Sequence, residues 1–98
     1  MNKDRSVIFA LGLAQKAGKI ASGDFAVKSA LKGGKVKLLI IASDASDNSK
    51  KDIYYLAGLY SVKTIEILDR EQLGMAIGKA KRTAIAVLDA NFANMMKV

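Results

Sequence analysis

Apolar positions along this 98-residue chain switch repeatedly between helical and extended spacing. Over residues 4–17, Val7, Ile8, Leu11 and Ala14 fall on one face, which predicts an amphipathic helix with these side chains turned inward. Gly18 supplies its stop, with Lys16 in the last turn. Residues 23–32 predict a second helix with Ala26, Val27, Ala30 and Leu31 inward, ended by Gly33-Gly34. Residues 37–42 follow as an almost continuous apolar run, the pattern of a strand buried on both faces. Ser46, Asp47 and Asn48 each suit the cap of a third helix, in which Ile53, Leu56, Ala57 and Tyr60 recur at i, i+3, i+4 and i+7. Thr64-Ile65-Glu66-Ile67 alternates like a strand. Asp69 with Gln72 forms a capping box for a short helix that carries Leu73 and Ile77 inward and stops at Gly78. Lys79-Ala80-Lys81-Arg82 is then a basic loop, residues 84–88 a last buried strand, and a short helix follows from Asn91.

Strands separated by helices place the chain in the α/β class, as a three-layer α/β/α sandwich in one domain over residues 1–98. Spacing alone leaves a small doubly wound sheet and a mixed sheet equally open. Cysteine and histidine are absent, which excludes disulfides, thiolate metal sites, and the commonest general base and metal ligand. No cofactor is expected. No apolar run approaches the roughly 20 residues of a membrane span, and the lysines are scattered over several segments rather than lined along one amphipathic helix. The charged start Met-Asn-Lys-Asp-Arg leads into a short apolar stretch broken by Gly12, unlike a signal peptide. A cytoplasmic monomer with no membrane partner is expected.

Charge changes the picture most. The chain carries a formal net charge of +7, and its sequence pI near 9.8 points to a polyanionic partner. Between Lys16 and Lys37 stand six lysines and one acid, Asp24. At the centre of that run, Ser22-Gly23-Asp24-Phe25 opens the second helix, and a helix start set among lysines offers N–H groups and a positive dipole end to a phosphate. Phe25 projects opposite the helix's apolar face, between Lys28 and Lys32 and beside Ser29. It suits stacking on an unpaired base while the lysines hold phosphates; the alternative is a staple folded back on Ile20. The loop from Lys79 to Thr83, with Lys79, Lys81 and Arg82, is a second basic candidate, and in a layered α/β domain it can lie at the same end of the sheet. Asp44 and Asp47 follow a buried strand, a position where α/β proteins place catalytic carboxylates or magnesium ligands. Their setting, Ser43-Asp44-Ala45-Ser46-Asp47-Asn48, reads instead as turn and cap residues. Gly33-Gly34-Lys35 lacks P-loop spacing, and no G-x-G-x-x-G occurs.

Three blocks in order carry a family resemblance: Gly23-Asp24-Phe25-Ala26-Val27-Lys28, residues 38–46, and Leu73-Gly74-Met75-Ala76-Ile77-Gly78. Together they resemble the L-seven-Ae superfamily of kink-turn RNA-binding ribosomal proteins, and within it the small bacterial YlxQ-like proteins, with the ribosomal L-thirty-e type as a cousin. The resemblance implies a four-stranded mixed sheet in the α/β/α sandwich, no enzymatic activity and no metal. The family's RNA-contact motif is Gly-Asn-Glu followed by Lys. Gly23 and Lys28 match it, while Asp24 stands for Asn and Phe25 for Glu. In the family those two side chains read guanines of tandem sheared G·A pairs. Here Asp24 keeps an acceptor for guanine N–H groups, and Phe25 keeps none. The family's second contact loop, usually short and apolar, corresponds to residues 79–84 and is strongly basic, which favours backbone contact.

These readings lead to a non-enzymatic protein bound to ribosomal or other structured non-coding RNA, kink-turns included, and to the ribosome. Lys28, Lys32, Lys79, Lys81 and Arg82, with Thr83 beside them, would meet phosphates; Gly23 would take a phosphate or base edge, Asp24 a guanine and Phe25 a base. The alternative is a protein-interaction module of the same fold that binds an acidic partner, with Tyr54 or Tyr55 facing outward. A magnesium-dependent phosphotransfer domain built on Asp44 is a third class.

Overall fold

The computed structural model describes residues 3–96; the expected domain of residues 1–98 includes Met1, Asn2, Lys97 and Val98, which lie outside the described residues. Helices and strands follow in the order α1 (Lys3–Lys16), β1 (Ile20–Ser22), α2 (Asp24–Lys32), β2 (Leu38–Ile41), α3 (Asp47–Leu59), β3 (Thr64–Glu66), α4 (Arg70–Ala76), β4 (Ala84–Val87) and α5 (Ala90–Met96). The strands form one sheet ordered β1-β4-β2-β3. β4 runs antiparallel to both neighbours, whereas β2 and β3 are parallel. The sheet is therefore mixed, not doubly wound.

Every residue of β2 and β4 is buried, because both faces of these central strands are covered. Leu38, Ile40, Ile85 and Val87 pack with Val7, Leu11, Leu73, Ile77 and Met96 from α1, α4 and α5. Leu39 and Ala86 point the other way, onto Val27, Leu31 and Ala57 from α2 and α3. The period of two over residues 38–40 thus turns the apolar run to two cores and makes three layers, with Ile41 joining Ile40 in the first. Each Leu or Ile so removed from water contributes about 1.5–3 kcal/mol. Among the described residues no polar or charged side chain is buried, and no helix is long and apolar enough to cross a membrane.

Two expectations are corrected. The strand Ile20–Ser22 went unread in the pattern: it is three residues long and half-buried throughout, so it carries no alternation to read. Its extended state is imposed by β4, through the register Ile20↔Val87, Ala21↔Ala86 and Ser22↔Ile85. Ile8, expected inward, is 37% exposed. The buried stripe of α1 is Val7, Ala10, Leu11 and Ala14, and Ile8 sits about 100° round from Val7, at a rim shared with Met75 and Ala76.

The predicted caps are in place. Ser46, not Asp47 or Asn48, caps α3 by accepting from Ser49 N, and Asp69 and Gln72 complete the reciprocal box on α4. Helices α1 to α4 end on the same pair of backbone hydrogen bonds; at α3 these run from Ser61 N to Gly58 O and from Val62 N to Ala57 O. The left-handed residue is glycine at three of these ends but Ser61 (φ 56°) after α3. Ser61→Gly should remove that backbone strain and raise unfolding stability by about 1 kcal/mol. In urea denaturation the midpoint is expected to rise with an unchanged slope.

Candidate functional site

Strand β1 runs directly into α2 at Gly23, and β4 is entered from the loop of residues 79–83. Because β1 and β4 are antiparallel, the end of one lies beside the beginning of the other, and Ser22 pairs with Ile85. A side-chain bond crosses this junction: Arg82 Nε donates to Ser22 Oγ at 3.3 Å. Gly23, Asp24 and Lys28 then share a small recess with Thr83 and Ala84, floored by apolar side chains of α2 and α3. The two basic segments, 59 positions apart between Gly23 and Arg82 by residue number, form one surface.

The start of α2 differs from those of α3, α4 and α5. Gly23 takes φ 91° and ψ 150°, a conformation open essentially to glycine alone, and provides no side-chain cap. The first turn closes with Val27 N donating to Gly23 O at 3.0 Å. Among the described residues, nothing accepts from the N–H groups of Asp24, Phe25 and Ala26. By contrast, Ser46, Asp69 and Asp89 cap the later helices. Open donors and the dipole make this end attractive to an anion or a hydrogen-bond acceptor.

Phe25 is 86% exposed. The staple on Ile20 is not formed; Ile20 packs instead against the core beneath α1. Phe25, Lys28, Ser29 and Lys32 line an open hollow of about 330 Å³. Neither lysine is in an ion pair: the ion pairs among the described residues, Lys50–Glu66 and Arg70–Asp44, lie elsewhere.

The basic loop is held from beneath. Lys79 N donates to Gly74 O at 2.8 Å, Arg82 N to Arg70 O at 3.0 Å, and Ala42 N to Thr83 O at 2.9 Å. Gly74 is required by contact: a Cβ there would stand 2.0 Å from the carbonyl oxygen of Ala80. Arg82 also closes the loop on itself, with Nη1 donating to Ala80 O and Lys81 O at 3.1 and 3.0 Å. With Nε on Ser22, three of its N–H groups serve the protein, and those of Nη2 have no hydrogen-bond partner among the described residues. Lys79 and Lys81 are exposed. Neither the Gly74 contact nor the Ser22 bond was legible in the residue pattern; the one available signal was a glycine inside a helix, where it costs stability unless something needs the space.

Asp44 is occupied. Its Oδ1 accepts from Arg70 N at 2.9 Å, and its Oδ2 lies 3.5 Å from Arg70 Nε. From the loop after β2 it thereby takes the first N–H of α4, beside the Asp69 cap, a turn-and-cap role. The backbone hydrogen bond from Arg70, followed by the guanidinium charge, holds its carboxyl below the usual carboxylate range. Among the described residues no group of three acidic side chains could hold a metal ion.

Comparison with known proteins adds four findings. The model of the family described as "Ribosomal protein L7Ae/L30e/S12e/Gadd45 family" matches residues 6–97. The RNA-binding protein YlxQ of Bacillus subtilis is 36% identical over 86 residues, covering 88% of this chain and 86% of that protein. The large ribosomal subunit protein eL30 of Candida glabrata is 33% identical over 88 residues, covering 88% and 84%. A solved Bacillus halodurans protein of unknown function superposes with a TM-score of 0.86 at 36% identity, over 92% of this chain and 91% of that one.

Gly74→Ala should push the loop off α4 and cost about 1–3 kcal/mol, the usual range for overpacking. Urea denaturation reads the loss, and faster amide exchange at residues 79–82 locates it. Asp44 contributes stability that is complete above the ordinary carboxylate pKa of about 4 and fades as pH falls through its lowered value. Asp44→Asn keeps an acceptor for Arg70 N but not the charge, so the acid limb of stability against pH should flatten in that variant.

Proposed function

Because this chain belongs to the ribosomal protein L7Ae/L30e/S12e/Gadd45 family, we propose that it is a non-enzymatic RNA-binding protein that grips structured RNA between the start of α2 and the α4–β4 loop. The observation that carries this reading is the junction itself. An uncapped helix start and a lysine-rich loop are joined through Arg82 and Ser22 into one positive surface. In this reading Lys28, Lys32, Lys79 and Lys81 neutralise phosphates, and the open N–H groups after Gly23 take a phosphate or a base edge. Arg82 sets the loop and offers its remaining N–H groups to a phosphate, with the Thr83 hydroxyl beside it. Asp24 accepts N–H groups of a guanine, and Phe25 presents its face to an unpaired base.

Magnitude decides where a base can be read. The recess between Gly23 and Thr83 offers only about 30 Å³, where one water needs about 10–15 Å³ on the same measure. A base cannot enter it, so base contact falls to the rim, on Asp24 and Phe25. A helical RNA bent to expose unpaired nucleotides, as in a kink-turn, meets both requirements: phosphates for the cations and a free base for the aromatic. The names of the relatives, one RNA-binding and one ribosomal, support ribosomal or other structured non-coding RNA as the partner; that a monomer meets it in the cytoplasm is part of the same proposal.

Retention of nucleic acid through purification, seen as a raised 260/280 absorbance ratio that salt removes, is the first test. Lys28→Ala should then weaken binding about equally across RNA sequences and lower the salt slope by roughly one. Arg82→Ala should cost more than Lys28→Ala, because it also releases the loop from Ser22. Phe25→Ala should change which RNA is preferred. Fluorescence anisotropy with a kink-turn RNA, a simple hairpin and a scrambled strand over a salt series reads all three. If neither cationic substitution moves affinity, the RNA surface lies elsewhere.

A further inference from the structure

Lys28 and Lys32 stand one turn apart on α2, with an exposed aromatic on either side. Phe25 shares the outer hollow with them. On the inner side, between α2 and α3, the same two lysines meet Asp52, Tyr55 and Leu56 around a second hollow of about 280 Å³. Tyr55 is 69% exposed. Its neighbour Tyr54 is committed: its hydroxyl donates to Glu66 Oε2 at 2.6 Å, and Lys50 Nζ holds Oε1 of the same carboxylate at 2.9 Å. That hydrogen bond is the main reason the Tyr54 hydroxyl is pushed up to about 12. Of the two tyrosines, Tyr55 has both its ring and its hydroxyl uncommitted among the described residues, and it lies on the lysine side of α3.

Resting on the RNA-binding reading above, we propose that the RNA surface extends across Lys28 and Lys32 into the α2–α3 groove, so that a single-stranded segment with one base stacked on Phe25 places another on Tyr55 while its backbone crosses the two lysines. Residues four apart on a helix have Cβ atoms about 5–6 Å apart, close enough to engage neighbouring phosphates of one strand. Aromatic platforms beside cations are the usual means of holding unpaired nucleic acid without strict sequence choice. Asp52 adds a bias. A carboxylate only accepts hydrogen bonds, so it favours a base with an exocyclic amino group and repels the carbonyl edge of uracil. An acidic peptide would match the lysines, but it would confront Asp52 and leave both rings without a stacking partner. Single-stranded RNA uses all of these side chains.

The test uses the full chain and three labelled RNA probes (an oligocytidylate decamer, an oligouridylate decamer and a blunt RNA duplex), with polyglutamate and a kink-turn RNA beside them. Oligocytidylate should bind roughly threefold tighter than oligouridylate, and Asp52→Asn should abolish that preference. Tyr55→Ala should weaken oligocytidylate binding by roughly fivefold or more, the loss of one base stack, and leave duplex binding unchanged. Tyr55→Phe should behave as the unsubstituted protein, which separates stacking from any general effect on the fold. Unchanged oligocytidylate binding in Tyr55→Ala, with Lys28→Ala weakened, overturns the groove site and leaves the main surface standing. Polyglutamate that binds through Tyr55 where oligocytidylate does not overturns it in favour of a protein partner. No binding to any of the three probes or to a kink-turn RNA overturns both proposals together.

Discussion

The antiparallel pairing of β1 with β4 is the constraint on which the candidate site depends. It sets Ser22 against Ile85, so the chain leaving β1 for α2 passes the chain entering β4 from α4. Parallel pairing would put these segments at opposite ends of the sheet. β4 is in turn placed by β2, because eight apolar residues on two strands have no stable position except between two helical layers. Helix α2, packed on one face, and the α4–β4 loop, delivered from the other, therefore meet at the sheet's end. The backbone hydrogen bond from Leu88 N to Lys19 O, 2.9 Å, closes the opposite end of the same pair.

What lies at that junction is built against its own local cost. Cations crowded on one surface repel, although at solvent-exposed positions two unit charges 4 Å apart cost only about 1 kcal/mol, less in salt. The loop carrying three of them is kept in shape by uncharged contacts: the backbone bonds to α4, the close approach over Gly74, and the three hydrogen bonds of the Arg82 side chain. Phe25 likewise forgoes the roughly 1.5–3 kcal/mol that burying a large apolar side chain yields. Folding draws almost nothing from its exposed ring. The same holds for Tyr55, whereas Tyr54 is absorbed into a structural tie to the edge strand through Glu66.

Much of this was legible residue by residue. Capping chemistry located the starts of α3 and α4, and the apolar runs located both central strands. The 100° step correctly turned Phe25 away from the core. The same step misplaced Ile8, because four apolar positions define a stripe only once the neighbouring helices fix its centre, and Ala10 took the place assigned to Ile8. Asp44 was readable as a cap residue, but not as the cap of α4, since its partner Arg70 is 26 residues away. The family resemblance implied the mixed sheet that periodicity leaves open, and the strand pairing bears it out.

The sequence by itself determined which segments are helical, which strands lie at the centre, where the positive charge is concentrated and which aromatic faces outward. These follow from local rules: periodicity, caps and the sign of each side chain. Only the tertiary structure decided that Ile20–Ser22 is a strand, that Gly74 must lack a side chain, that Arg82 is a clamp as well as a charge, and that Tyr55 rather than Tyr54 joins the lysines. Three of these depend on a partner far along the chain and the Gly74 contact on how Lys79 and Ala80 fold back over α4; three half-buried residues or a single glycine carry no local pattern that announces it.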